Sequence, residues 1–132
     1  MTVTSQHDVI DRLLAHQVWA VVGLSNHRSR AAYGVAHFLQ AKGRTIVPVH
    51  PHAETVHGEQ GYTRLADIPF DVDVVDLFVR SELVGPIVDE AIAKGAKGIW
   101  MQLGVVDEDA AARARAAGLD VVMDRCPKIE WR

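Results

Sequence analysis

The sequence predicts an α/β fold: five parallel strands in the order 3-2-1-4-5, with helices on both faces of the sheet. Two observations carry this expectation. Apolar, β-branched runs recur along the chain, and segments with helical spacing of apolar residues lie between them. Unbroken apolar runs suit strands covered on both faces, whereas a half-exposed strand would alternate. Strands that alternate with helices are joined by right-handed crossovers into one parallel sheet.

The elements follow in order. An opening helix is expected at about Val9–His16, and the first strand is "VWAVVG", residues 18–23. In Ala32–Lys42 the residues Ala32, Val35, Ala36 and Leu39 share one helical face, and Gly43 can close the helix. The second strand is "TIVPVH", residues 45–50. The stretch "PHAETVHGEQGYTRLADIPFD" reads mostly as loop, with a short helix near Thr63–Asp67. The third strand is "VDVVDLFV", residues 72–79; Val84, Ile87, Val88 and Ala91 then recur at helical spacing before Gly95. "GIWMQL", residues 98–103, is the fourth strand. "DEDAAARARAAG" opens with acids, is rich in alanine and ends in Gly118, all marks of a helix. "LDVVMD", residues 119–124, is the fifth strand.

The 132 residues fit one domain, residues 1–132, without repeats or a linker. The formal net charge of −3 offers no bulk attraction to nucleic acid or an anionic membrane. One cysteine excludes an internal disulfide and suits a reducing compartment. The N-terminal stretch carries acids and no long apolar core, and no apolar run approaches the ~20 residues of a membrane span. The expectation is a cytoplasmic monomer or small homo-oligomer that binds neither membrane nor nucleic acid.

In an open α/β sheet, ligands bind beyond the carboxyl ends of the strands, at the switch point. The order 3-2-1-4-5 would place that point between strands one and four. After strand one comes Gly23-Leu24-Ser25-Asn26-His27-Arg28-Ser29-Arg30. A glycine lets backbone approach a ligand, the next helix N-terminus suits phosphate, and Ser25, Arg28 and Arg30 add donors. The same residues also suit a plain loop with solvated arginines. After strand two, Pro48-Val49-His50-Pro51-His52 supplies no acid for a ribose, and Glu54 lies past the turn. The glycine fingerprint of a dinucleotide site is absent as well, so NAD is disfavoured. Histidines there tolerate a phosphorylated ribose, as in NADP or coenzyme A, or they belong to a rigid exposed turn. His50, His52 and His57 match no zinc spacing, and no metal is expected. After strand three come Phe78, Val79 and Arg80, which could flank a base and meet a phosphate, then Ser81 as a helix cap. After strand four, Gln102, Leu103 and Gly104 follow Trp100 and Met101, two residues expected to pack. Cys126 has no adjacent histidine and reads as a small packed residue rather than a nucleophile.

"VVGLS", "YGVAHFLQAKG", "IVPVHP", "GEQGYTRLADIP", "VDVVDLFVRSE", "GAKGIWMQLGV" and "GLDVVMDRCPKIEW" run in order from Val18 to Trp131. Together they resemble the small single-domain CoA-binding proteins, similar to the N-terminal domain of the succinyl-CoA synthetase α subunit. The resemblance implies a Rossmann-like fold and coenzyme A, or an acyl-CoA, as ligand. By resemblance, Gly23, Leu24 and Ser25 look like the pyrophosphate cradle and Arg30 like its basic partner. Pro48, Val49, His50, Pro51 and His52 look like the contact to the phosphorylated ribose. Phe78, Val79 and Arg80 look like the adenine side, and Gln102, Leu103 and Gly104 like the wall along the pantetheine arm. Arg28, Ala31 and Ala32 depart from the family's usual residues, and His50 and His52 stand for a common asparagine and a frequent lysine.

The resemblance supplies no reaction, and no catalytic residue is assigned. The favoured reading is a CoA or acyl-CoA binding module, regulatory or non-catalytic. The alternatives are a small NAD(P)-dependent enzyme or an inactive partner subunit of an acyl-CoA synthetase-like complex. A phospho-acceptor receiver domain would need an acidic pair where Gly23-Leu24-Ser25 stands.

Overall fold

The computed structural model describes residues 5–131; residues 1–4 and 132, the outer ends of the expected domain, lie outside the described residues. Helix α1 (Gln6–Leu14) starts earlier than its apolar pattern suggests because Ser5 and Asp8 form a capping box. The Ser5 hydroxyl accepts from the Asp8 N–H at 3.1 Å, and the Asp8 carboxylate accepts from the Ser5 N–H at 3.4 Å. Next come β1 (Val18–Val22), α2 (Ala31–Ala41) and β2 (Thr45–Val49). A long connection with one 3-10 turn at Leu65–Asp67 leads to β3 (Val74–Leu77). Then follow α3 (Val84–Lys94), β4 (Gly98–Met101), α4 (Glu108–Ala116) and β5 (Asp120–Val122). The chain closes with α5 (Pro127–Glu130), a short helix the periodicity could not reveal; proline suits its first position.

All five strands are parallel, in the order β2-β1-β3-β4-β5. The expected order 3-2-1-4-5 is therefore corrected: β3 lies on the other side of β1. The physical reason sits on the outer edge of β2. Tyr62 bridges Val49 there, its N–H donating to the Pro48 carbonyl at 2.9 Å and its carbonyl accepting from the His50 N–H at 3.0 Å. Pro48 offers that edge no N–H of its own, so a full strand could not pair along it. Strand β3 pairs instead with β1, Val75 opposite Ala20 and Leu77 opposite Val22. The switch point moves with it, from between strands one and four to between β1 and β3.

The sheet separates two cores. Ala20, Val22, Val47, Val49, Val75, Leu77, Ile99 and Met101 pack against α3 and α4. Trp19, Val21, Ile46, Val74, Trp100 and Val122 pack against α1 and α2. Trp100 and Met101 are fully buried, as expected, on opposite faces. Leu13 of α1 sits so tightly over Gly98 that a Cβ there would run into it. Trp131 follows α5, packs edge-on against Phe38 and lies under the Arg44 guanidinium.

Candidate functional site

The carboxyl ends of β1, β2, β3 and β4 open into one cleft of about 1030 Å³. Its walls begin with Gly23, at φ +99°. The Gly23 N–H donates to the Val49 carbonyl at 2.8 Å, and a Cβ on Gly23 would run into the Phe78 carbonyl oxygen. Glycine is thus required by the close approach of the β1 and β3 ends, whatever the cleft holds.

The loop after β1 is pinned to the connection that follows β2. The Asn26 N–H donates to Glu54 Oε1 at 3.1 Å, and Asn26 Nδ2 donates to the Thr55 carbonyl at 2.9 Å. The Ser25 hydroxyl accepts from the His27 N–H at 3.3 Å, and the Ser29 hydroxyl lies 2.9 Å from His27 Nδ1. Arg30 is the N-cap of α2 and makes no side-chain capping bond. The first turn of α2 therefore faces the cleft through Arg30, Ala31 and Ala32, with its backbone donors and positive dipole end.

From β2, His50 and His52 form a tight turn, their rings 5.3 Å apart, with the His52 N–H on His50 Nδ1 at 3.2 Å. His57 lies elsewhere: its Nε2 contacts the Tyr33 carbonyl at 2.8 Å and its ring packs on Tyr33 and His37. Among the described residues no group of three or more His, Cys, Asp or Glu side chains could hold a metal ion. From β3 come Phe78, Val79, Arg80 and Leu83; from β4 come Gln102, Leu103 and Val105. The cap expected of Ser81 is not formed. Its hydroxyl accepts from the Val106 N–H at 3.0 Å and so ties the β3 end to the loop after β4. That loop is held again by Asp124, itself at φ 58°, whose carboxylate accepts from the Gly104 N–H at 2.7 Å.

Eleven of the residues singled out in the sequence thus line one cleft: Gly23, Ser25, Arg30, His50, Pro51, His52, Phe78, Val79, Arg80, Gln102 and Leu103. Leu24 and Val49 are buried in the two cores, Pro48 is buried in β2, and Gly104 stands outside the lining. Arg28 is exposed and also outside it. Glu54 lines the cleft although it stands past the turn, a placement that only the fold of the β2–β3 connection determines.

Asp76 gave no signal in the sequence, being one acid in an apolar strand. It is fully buried on β3, opposite Val21 and Trp100, and neither carboxylate oxygen has a hydrogen-bond partner. Desolvation alone pushes its carboxyl well above the usual carboxylate range. Gln102 is 5% exposed, and its Oε1 is likewise buried and unpartnered. A smaller hollow of about 330 Å³ at the start of β5 is different. Its charged pair is self-satisfied: Arg12 grips Asp120 at 2.8 and 2.9 Å and holds that carboxyl below its ordinary value.

Residues 17–132 match the CoA binding domain family. The uncharacterized protein YneT of Bacillus subtilis is 34% identical over 83% of this chain and 82% of its own length. The 4-hydroxybutyrate–CoA ligase (ADP-forming) of Nitrosopumilus maritimus is 28% identical over 76% of this chain, which spans only 15% of that enzyme. Among solved structures, a hypothetical protein from Pyrococcus horikoshii OT3 superposes with a TM-score of 0.89 at 36% identity, covering 96% of this chain and 89% of the other.

Proposed function

The chain belongs to the family of CoA-binding domains, and on that premise we propose that it binds coenzyme A or an acyl-CoA in the cleft between β1 and β3. The observation that carries the reading is that the Arg30 cation, the backbone donors of a helix start and two imidazoles line one cleft. Arg30 and the first turn of α2 line it together with His50 and His52. A pyrophosphate fits Arg30 and the first turn of α2, beside Gly23 and Ser25, and a phosphorylated ribose fits the turn after β2 at His50, Pro51 and His52. Phe78, Val79 and Arg80 then flank the adenine side. Gln102 and Leu103 border the arm, where the lining turns apolar at Leu83, Leu103 and Val105.

The role proposed is binding, free of a reaction of its own. The similarity to the ligase covers 15% of that enzyme, so its chemistry is not carried over. NAD fits less well, because the loop after β1 lacks the glycine fingerprint and β2 is followed by His50 rather than by an acid. Thermal denaturation with CoA, NAD and FMN tests the reading. At a hundredfold excess over Kd, a ligand of the native state adds ~2.7 kcal/mol, a rise on the order of 10 °C in melting temperature. A shift with NAD equal to or larger than that with CoA overturns the assignment.

A further inference from the structure

Asp76 and Gln102 hold the three buried, unpartnered side-chain oxygens of the described residues. The sheet register brings them together. Asp76 pairs with Trp100, and Gln102 stands two residues beyond Trp100, just past β4, where its N–H still donates to the Leu77 carbonyl at 3.3 Å, so the strand alternation carries both to the same sheet face. Gln102 lines the cleft, whereas Asp76 lies beneath it. With Gln102 Oε1 turned inward, its Nε2 is left for the cleft side.

We propose that Asp76 is a positioning residue that orients the Gln102 amide, so that its NH2 group forms a donor seat on the cleft floor for a carbonyl oxygen of the ligand. An acid carrying its proton donates to Gln102 Oε1, directly or through one water, and so satisfies the inward oxygen. An ionised Asp76 would draw the NH2 inward instead and present an oxygen to the cleft. The balance favours the first arrangement, since no cation offsets the burial of Asp76 and desolvation raises its proton affinity. Leu83, Leu103 and Val105 line the same cleft, Val105 tied to Gln102 by its N–H on the Gln102 carbonyl at 2.8 Å, and give an acyl chain an apolar wall. The inference rests on the proposed function and narrows it: the preferred ligand is an acyl thioester of CoA, with its carbonyl on Gln102.

Calorimetric titration with acetyl-CoA, S-ethyl-CoA and free CoA tests the seat. S-ethyl-CoA keeps the shape of the acetyl group and lacks the carbonyl oxygen. Wild type is expected to bind acetyl-CoA about three- to tenfold more tightly than S-ethyl-CoA. Gln102→Leu should abolish that preference, as should Asp76→Leu, and the double variant should be no worse than Gln102→Leu. Asp76→Asn, which keeps a donor toward Gln102, should retain it. Equal binding of the two ligands by wild type, or loss of the preference in Asp76→Asn, overturns the seat while leaving CoA binding intact. Failure of wild type to bind any of the three overturns the proposed function and the seat with it. A readout independent of ligand guards against unfolded variants. The infrared carbonyl band of a protonated carboxyl should be present in wild type at neutral pH and missing in Asp76→Asn. Its absence in wild type overturns the arrangement.

Discussion

Replacing Asp76 by asparagine should stabilise the protein, and by an amount that grows with pH. Asp76 is fully buried with no partner for either oxygen, and desolvation raises its carboxyl well above the ordinary range. In the unfolded chain it titrates at about 3.9. Between that value and the raised folded one, the folded state holds a proton that the unfolded state has released. Stability therefore falls as pH rises through this window, by about 1.4 kcal/mol per pH unit for one proton. Below the window both states are protonated and the cost vanishes. Asparagine has nearly the same shape and no proton to lose, so it escapes the slope. Urea denaturation of both proteins at unit steps from pH 4 to pH 8 reads the difference. Trp19 and Trp100 provide the signal, buried in contact at 5.8 Å on the face that carries Asp76. The expected advantage of Asp76→Asn is small at pH 4, climbs at ~1.4 kcal/mol per unit, and levels off at the folded pKa of Asp76. Comparing the two proteins cancels Asp73 and Asp120, whose lowered values act at lower pH with the opposite sign. A difference that does not change with pH refutes the reasoning. A variant that loses ground as pH rises would mean an ionised, partnered Asp76.

Arg30→Ala should weaken CoA and ADP together by about 1–3 kcal/mol and leave pantetheine nearly unchanged, whereas Arg28→Ala, outside the cleft lining, should matter little; calorimetric titration decides. Gly23→Ala should lower the melting temperature of the ligand-free protein, since it combines a φ of +99° with a collision on the Phe78 carbonyl; the backbone strain alone costs about 1–3 kcal/mol. An unchanged melting temperature would return that glycine to a ligand-only role. Asp107→Ala removes the side chain that caps α4 at 3.0 Å and should cost ~1 kcal/mol in urea denaturation. Cys126→Ala, at a buried position away from the cleft lining, should leave CoA affinity within about threefold, a change below ~0.7 kcal/mol.

The strands were legible because each is a short apolar run with no polar interruption on either face. The exception, Asp76, was invisible for the same reason: a two-state periodicity absorbs a single acid, and only the packed sheet reveals that it has no partner. Loop ends after β1, β3 and β4 were legible as a site because strand ends face one side in any parallel sheet. Strand order was not, because it depends on which edge of β2 remains free. Tyr62 decides that through two backbone bonds, and neither leaves a mark in composition. Glu54 entered the cleft by the same route, through a connection whose path no periodicity describes. Ser81 carried the right residue type for a cap, yet tertiary contact with the Val106 N–H took its hydroxyl.

The tether at Tyr62 bears on how the molecule keeps to itself in a crowded solution. An exposed sheet border invites a foreign strand, and with it domain swapping or fibril growth. One border, β2, carries Pro48, which presents no donor outward, and the Tyr62 segment already occupies the acceptor and donor that flank Val49. The opposite border, β5, is three residues long and begins at Asp120, locked to Arg12. Among the described residues, both margins are thus shortened or partly occupied, which disfavours β-augmentation by a foreign strand.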